Sequence, residues 1–125
     1  MADSYEVAAA FRAELRRFLR RSEDSSRAHG ITPRQHLLLL QIAGAPDGIT
    51  TISGLVGTLS LTQSAVTELV QRAELAALVE RAPSPEDRRV VHLSLTARGS
   101  EKLAAVHAAL GPERAQLRRV FDNLG

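Results

Sequence analysis

Six side chains between Gln63 and Arg72 have the types and spacing to do chemistry together. With about 100° of rotation per helical residue, Gln63, Ser64, Thr67, Glu68, Gln71 and Arg72 fall on one side of a helix, and Val66, Leu69, Val70 and Ala73 fall on the other. Gln, Ser, Thr and Arg are the hydrogen-bonding side chains that read base edges and phosphates in a DNA major groove. A purely solvated face carries more Glu and Lys. On this helix alone, an ordinary amphipathic helix with a polar outside is an equal reading. A second group, Asp87, Arg88 and Arg89, follows on a loop between two short apolar runs. Arginines projecting on such a loop suit a DNA minor groove, where negative potential is concentrated. Asp87 would be repelled by phosphates, so its expected role is to fix an arginine and stabilise the loop. Solvated loop charge is the alternative for the two arginines, and their placement directly after the polar helix favours DNA contact.

Other chemistries find no support. His29, His36, His92 and His107 lack metal-ligand spacing, there is no glycine-rich phosphate loop, and the carboxylates are scattered. No metal, no cofactor and no enzymatic activity are expected. The chain has no cysteine, which excludes disulfides, thiolate metal sites and thiol redox sensing. Its 125 residues are enough for one domain with helices for assembly. Apolar residues make up 44% and aromatics 3%, so the core is built from Leu, Val, Ile and Ala and a mostly α fold follows. A formal charge of +2 argues for nothing by itself. Fifteen of the sixteen basic residues are arginine; genomic composition accounts for much of that, so position matters more than number. The chain opens with acidic residues and has no long apolar run for export or membrane spanning, which predicts a cytoplasmic protein without a membrane partner.

The elements that must position these groups follow from helix punctuation. A first helix over roughly Asp3 to Arg27 aligns Val7, Phe11, Leu15 and Phe18. Its Arg12, Arg16, Arg17, Arg20 and Arg21 read as a solvated face. Gly30 breaks it, and Thr32, Pro33 and Gln35 supply an N-cap, a first-turn proline and a capping-box glutamine. The next helix, apolar through Leu37 to Leu40 and Ile42, is expected at the centre, buried on several sides. A turn at Ala45 to Gly48 ends it. Thr50 or Thr51 caps a short helix over Ile52 to Leu59, and Thr62 caps a longer one running to about Ala77. That is the helix-turn-helix pattern. Gly54 and Gly57 each cost the short helix about 1 kcal/mol, so it is either closely packed or marginal. Val79 to Ala82 and Val90 to Leu95 read as strands of a hairpin, with Val91, Leu93 and Leu95 facing inward across a loop at Pro83 to Asp87. Beyond Thr96 one helix carries Leu103, Val106 and Leu110. After Gly111 and Pro112 another carries Leu117, Val120, Phe121 and Leu124. The terminal stripes exceed what a small core needs, and pairing them across a two-fold axis would bury the surplus. The fold expected is a mostly α winged helix-turn-helix with a two-stranded β wing, flanked by N- and C-terminal dimerisation helices. Residues 1–125 form a single winged-helix domain, with a DNA-binding core at 32–96 and dimerisation helices at 1–29 and 97–125.

Across Thr62 to Gly99 the chain resembles the MarR (multiple antibiotic resistance regulator) family of bacterial transcriptional regulators. Leu78-Val79-Glu80-Arg81 leads into Pro85-Glu86-Asp87-Arg88-Arg89 and then Leu93-Ser94-Leu95-Thr96-Ala97-Arg98-Gly99, similar to the family's Asp-x-Arg wing followed by Leu-Thr-x-x-Gly. The resemblance implies a dimeric repressor or activator that binds an inverted repeat in double-stranded DNA, with half-sites about 10 bp apart and release by a small aromatic or phenolic effector. By position it places Gln63, Ser64, Thr67, Glu68, Gln71 and Arg72 in the major groove, Arg89 in the minor groove and Arg88 near the backbone. Thr51 and Thr62, at helix starts, are candidates for phosphate contact. Phe11, Leu15, His36 and Leu40 are implied for an effector crevice, although core packing accounts for each of them. Ala77 departs from the family, which commonly has glycine there. A winged-helix protein-interaction module that has lost sequence reading is the alternative function.

Overall fold

The computed structural model describes residues 4–123; Asp3 and Leu124, included in the expected terminal helices, lie outside them. The chain runs α1 (Tyr5–Ala28), α2 (Pro33–Ala43), α3 (Ile52–Leu59), α4 (Gln63–Leu75), β1 (Val79–Pro83), β2 (Val91–Leu95), α5 (Ala97–Ala109) and α6 (Gly111–Asp122). None of the helices in the described residues is long and apolar enough to cross a membrane.

The helix starts lie where side-chain caps permit them. The Thr32 hydroxyl accepts from the Gln35 amide at 3.0 Å while the Gln35 side chain accepts from the Thr32 amide at 3.0 Å, closing the capping box. Thr51, Thr62 and Thr96 cap α3, α4 and α5 from one side only, their hydroxyls accepting from the Gly54, Ala65 and Gly99 amides. The helix ends are chosen by backbone conformation. At the end of α1, Gly30 takes φ 81°, and the Ile31 amide donates to the Ser26 carbonyl. The same closing motif ends α4 on a non-glycine residue: Ala77 takes φ 60°, its amide donates to Glu74, and the Leu78 amide donates to Ala73. This stops α4 at Leu75, two residues short of the expected Ala77. Of the two glycines in α3, Gly54 has its missing Cβ direction filled by the Thr50 hydroxyl at 2.5 Å, whereas Gly57 faces open space. Close packing therefore accounts for the first glycine only.

The core gathers Leu38, Leu39 and Ile42 of α2, Leu55 and Leu59 of α3, Val66, Leu69, Val70 and Ala73 of α4, Leu78 and Val79, Leu93 of β2, and Val106 and Leu110 at the end of α5. α2 is central, touching α1, α3, α4, α5 and β2, but it is not buried all round: Leu37 and Leu40 remain 43% and 40% exposed. They border an open cleft rather than a neighbouring helix. β1 and β2 pair antiparallel from Val79 opposite Leu95 to Pro83 opposite Val91, so Pro83 belongs to the strand rather than to the loop. Thr50 adds a bridge to Leu93 on the far side of β2, exchanging both backbone bonds at 3.1 and 2.8 Å. Leu93 is fully buried by this double pairing, Leu95 is half-buried, and Val91 is 39% exposed. Val91 thus departs from the expected inward alternation, because the wing there has risen off the core.

α6 lies along α1, with the Phe11 and Phe121 rings edge to face at 5.1 Å between centroids. Neither helix buries an apolar side chain completely within the chain, and Phe121 stays 58% exposed.

Ala77, like Ser60 at the end of α3 (φ 54°), closes its helix in the left-handed region on a non-glycine residue. Replacing Ala77 with Gly is expected to raise stability by about 1 kcal/mol, whereas Gly99→Ala, whose Cβ would lie 2.1 Å from the Leu78 carbonyl oxygen, is expected to lose about 2 kcal/mol or more. Urea denaturation of the three proteins checks both signs.

Candidate nucleic-acid interface

α4 presents its two faces as its periodicity requires. Val66, Leu69, Val70 and Ala73 are buried, and Gln63, Ser64, Glu68, Gln71 and Arg72 are exposed, with Thr67 half-buried between them. The Arg72 guanidinium donates to the Glu68 carboxylate at 2.7 Å, an i,i+4 pair that stays solvated on both sides. The helix's other carboxylate, Glu74, sits in the last turn and is held by Arg81 of β1 at 2.7 Å. At the start of α4 the Thr62 hydroxyl accepts from the Ala65 amide at 3.1 Å, and at the start of α3 Thr51 accepts from Gly54 at 3.0 Å. A hydroxyl that accepts in this way keeps its own proton to donate, so each remains a donor for a phosphate oxygen.

The wing tip is organised by Ser84, which the sequence reading passed over. Its buried hydroxyl accepts from the amides of Glu86 and Asp87 at 3.3 and 3.4 Å, and its own amide donates to Val90 at 2.8 Å. A serine two residues before an acidic turn was the available signal. Asp87 then accepts from the Arg89 amide at 3.1 Å and from the Arg89 guanidinium through both oxygens, at 3.1 and 3.2 Å. These side-chain and then backbone bonds from Arg89 hold the Asp87 pKa below its ordinary value. Arg89 is thereby aimed while its side chain stays 91% exposed, and Arg88 beside it is exposed too. Thr51, Gln63, Val90 and Val91 line one surface pocket, which brings the starts of α3 and α4 next to the C-terminal side of the wing turn.

Of the four residues assigned to an effector crevice, His36 and Leu40 line a cleft of about 470 Å³. The cleft is bounded by α1, α2 and the α5–α6 junction, with Phe18, Leu37, His107 and Leu110 among its walls and Arg34 and Arg114 at its rim. Phe11 and Leu15 do not line it. They sit nearer the start of α1, where Phe11 meets Phe121. Among the described residues there is no group of three His, Asp or Glu side chains placed to hold a metal ion.

Comparison with known proteins matches residues 29–90 to the model of the MarR family. A helix-turn-helix transcriptional regulator of Bacillus subtilis, YhbI, is 36% identical over 84 residues, which are 65% of this chain and 53% of the relative; the chain spans about half the length of that curated relative. Among solved structures, wild-type MarR of E. coli in its apo form superposes with a TM-score of 0.73 at 25% identity, covering 90% of this chain and 82% of that one. A mutant of the same E. coli protein, complexed with operator DNA, superposes with a TM-score of 0.71 at 24% identity over 90% and 80% of the two chains and shares the fold.

Ionisation in the cleft gives a measurable quantity. Burial first, and the nearby His107 second, lower the pKa of His36 from its ordinary value, and the Ser22 hydroxyl lies 3.4 Å from its Nδ1. The folded state therefore binds this proton less readily than the unfolded chain does. The contribution to stability is present above the unfolded value of about 6.5 and is lost as pH falls through the lowered folded value. We expect the His36 ring to titrate below that value by NMR, and His36→Gln to flatten the acid side of the stability profile.

Proposed function

Because the chain belongs to the MarR family of winged-helix transcriptional regulators, we propose that it is a homodimer that binds double-stranded DNA at an inverted repeat. The observation that carries the reading is the joint exposure of a polar face on α4, whose one ion pair, Glu68–Arg72, stays solvated, and of Arg89 on the wing, fixed by Asp87 but open to solvent. In this reading α4 enters the major groove through Gln63, Ser64, Thr67, Glu68, Gln71 and Arg72. Arg89 enters the adjacent minor groove, Arg88 meets the backbone, and the capped helix starts at Thr51 and Thr62 donate to phosphates. A mutant E. coli MarR of the same fold is complexed with operator DNA, which supports duplex DNA as the partner.

The terminal helices support the dimer. α1 and α6 leave Leu19, Phe121 and the half-buried Val7, Phe11, Leu15, Leu117 and Val120 without complete cover inside the chain, and a second copy would supply it. The cleft lined by His36 and Leu40 joins these helices to the DNA-reading core. Its volume lies in the range of small-ligand sites, which supports release of DNA by a small, largely apolar effector with an aromatic or phenolic ring. The intracellular compartment of such a regulator is the cytoplasm.

Two measurements test the reading. Light scattering at micromolar concentration should give twice the chain mass of 13.5 kDa, and a monomer mass would remove the dimer. A duplex selected from a random pool should bind with an affinity that falls steeply as salt rises, and Arg89→Ala should weaken binding by about 10-fold and lower the salt slope by about one per contacted phosphate. A protein-interaction module on the same fold would bind no duplex selectively and show neither effect.

A further inference from the structure

The segment proposed to meet DNA is not basic. Between Thr50 and Thr96 four arginines stand against five carboxylates, so the positive balance of the chain lies in its other helices. Generic attraction for a polyanion is correspondingly small there, and one carboxylate, Glu68, stands in the middle of the polar face with its side chain 63% exposed. A carboxylate at that place is repelled by phosphates, and of the three polar groups that each base pair shows in the major groove two are acceptors and one is an amino donor, central in A·T and at one end in C·G. It gains a partner where a base offers an amino group. Glu68 Oε1 already accepts from Arg72 Nη2 at 2.7 Å, which leaves Oε2 as an acceptor and leaves the remaining N–H donors of the guanidinium as a fork beside it. An acceptor and a donor fork side by side are complementary to the amino group of cytosine and to O6 and N7 of its paired guanine.

Resting on the DNA-reading assignment above, we propose that Glu68 is a specificity-determining residue that makes binding conditional on a C·G base pair in the facing major groove, with Arg72 as the donor it positions. Glu68 penalises a site that lacks the cytosine amino group, and it restrains Arg72 from settling on any nearby phosphate. The discrimination thus comes as much from what the carboxylate rejects as from what the arginine accepts.

The test is selection from a random duplex pool by the full-length protein, by Glu68→Ala and by Glu74→Gln, followed by titration of the selected duplex and a scrambled one. Both substitutions remove one negative charge from α4, but Glu74 is half-buried and held by Arg81 of β1, off the exposed polar face that carries Glu68 and Arg72. We expect the wild-type selection to require C·G at one position of each half-site. Glu68→Ala should cut that preference by about 10-fold while binding the scrambled duplex several-fold more tightly, and Glu74→Gln should keep the wild-type preference. A selected site with no required C·G pair, an unchanged preference in Glu68→Ala, or equal relaxation in Glu74→Gln would each overturn the proposal and leave the DNA reading standing. Failure of the wild-type protein to select any duplex would overturn both.

Discussion

The junction between the end of α4 and the start of α5 is the constraint on which the remaining geometry depends. Thr96 donates its hydroxyl proton to the Ala77 carbonyl at 2.6 Å, accepts from the Gly99 amide at 3.0 Å and donates its own amide to the Leu78 carbonyl at 3.1 Å. Arg98 donates to Ala76 at 3.2 Å. Three successive carbonyls just beyond α4 are thus satisfied by the start of the helix beyond the wing. The approach is so close that only a glycine fits at position 99. The Leu-Thr-x-x-Gly run is therefore a structural clamp: it fixes where the hairpin leaves and re-enters the core, and hence where the wing stands relative to α4.

Satisfied polar groups at this junction and at the wing tip leave the outward side chains free of structural duty. Ser84 organises the turn, Asp87 holds Arg89, and the threonine caps close the helix starts, each with local bonds that need no water-exposed partner. What faces outward is then a polar helix face and a held arginine. The segment carries no net positive charge, so its surface is suited to discriminating among partners by hydrogen-bond pattern more than to attracting them by field.

The terminal helices follow a different logic. α1 and α6 contribute no fully buried apolar side chain among the described residues, and they lean on each other through half-covered rings and leucines. Between them and α2 a cleft stays open, because the exposed leucines of α2 meet neither a neighbouring helix nor a loop. α6 packs on α1 and α5, and both of these pack on α2, which also carries the core that supports α3 and α4.

The amino-acid sequence by itself determined the features that local bonds decide. The caps at Thr32 and Thr62, the short α3 with its cap narrowed to Thr50 or Thr51, the split of α4 into two faces and the Asp87–Arg89 wing were all legible, because each depends on residues within a few positions of one another. The resemblance added the pairing of wing and clamp. Tertiary structure decided whatever depends on a distant neighbour. The left-handed turn at Ala77 is imposed by closure of α4 against β1, and it placed the helix end two residues early in spite of a side chain that disfavours it. Leu37, Leu40 and Val91 carry apolar side chains in apolar runs, yet they are exposed because no element covers them. His36 and Leu40 share a cleft while Phe11 and Leu15 do not, because α6 meets α1 at Phe11 through Phe121, and the cleft opens farther along α1, from Phe18 to Glu23, a pairing that periodicity does not reveal.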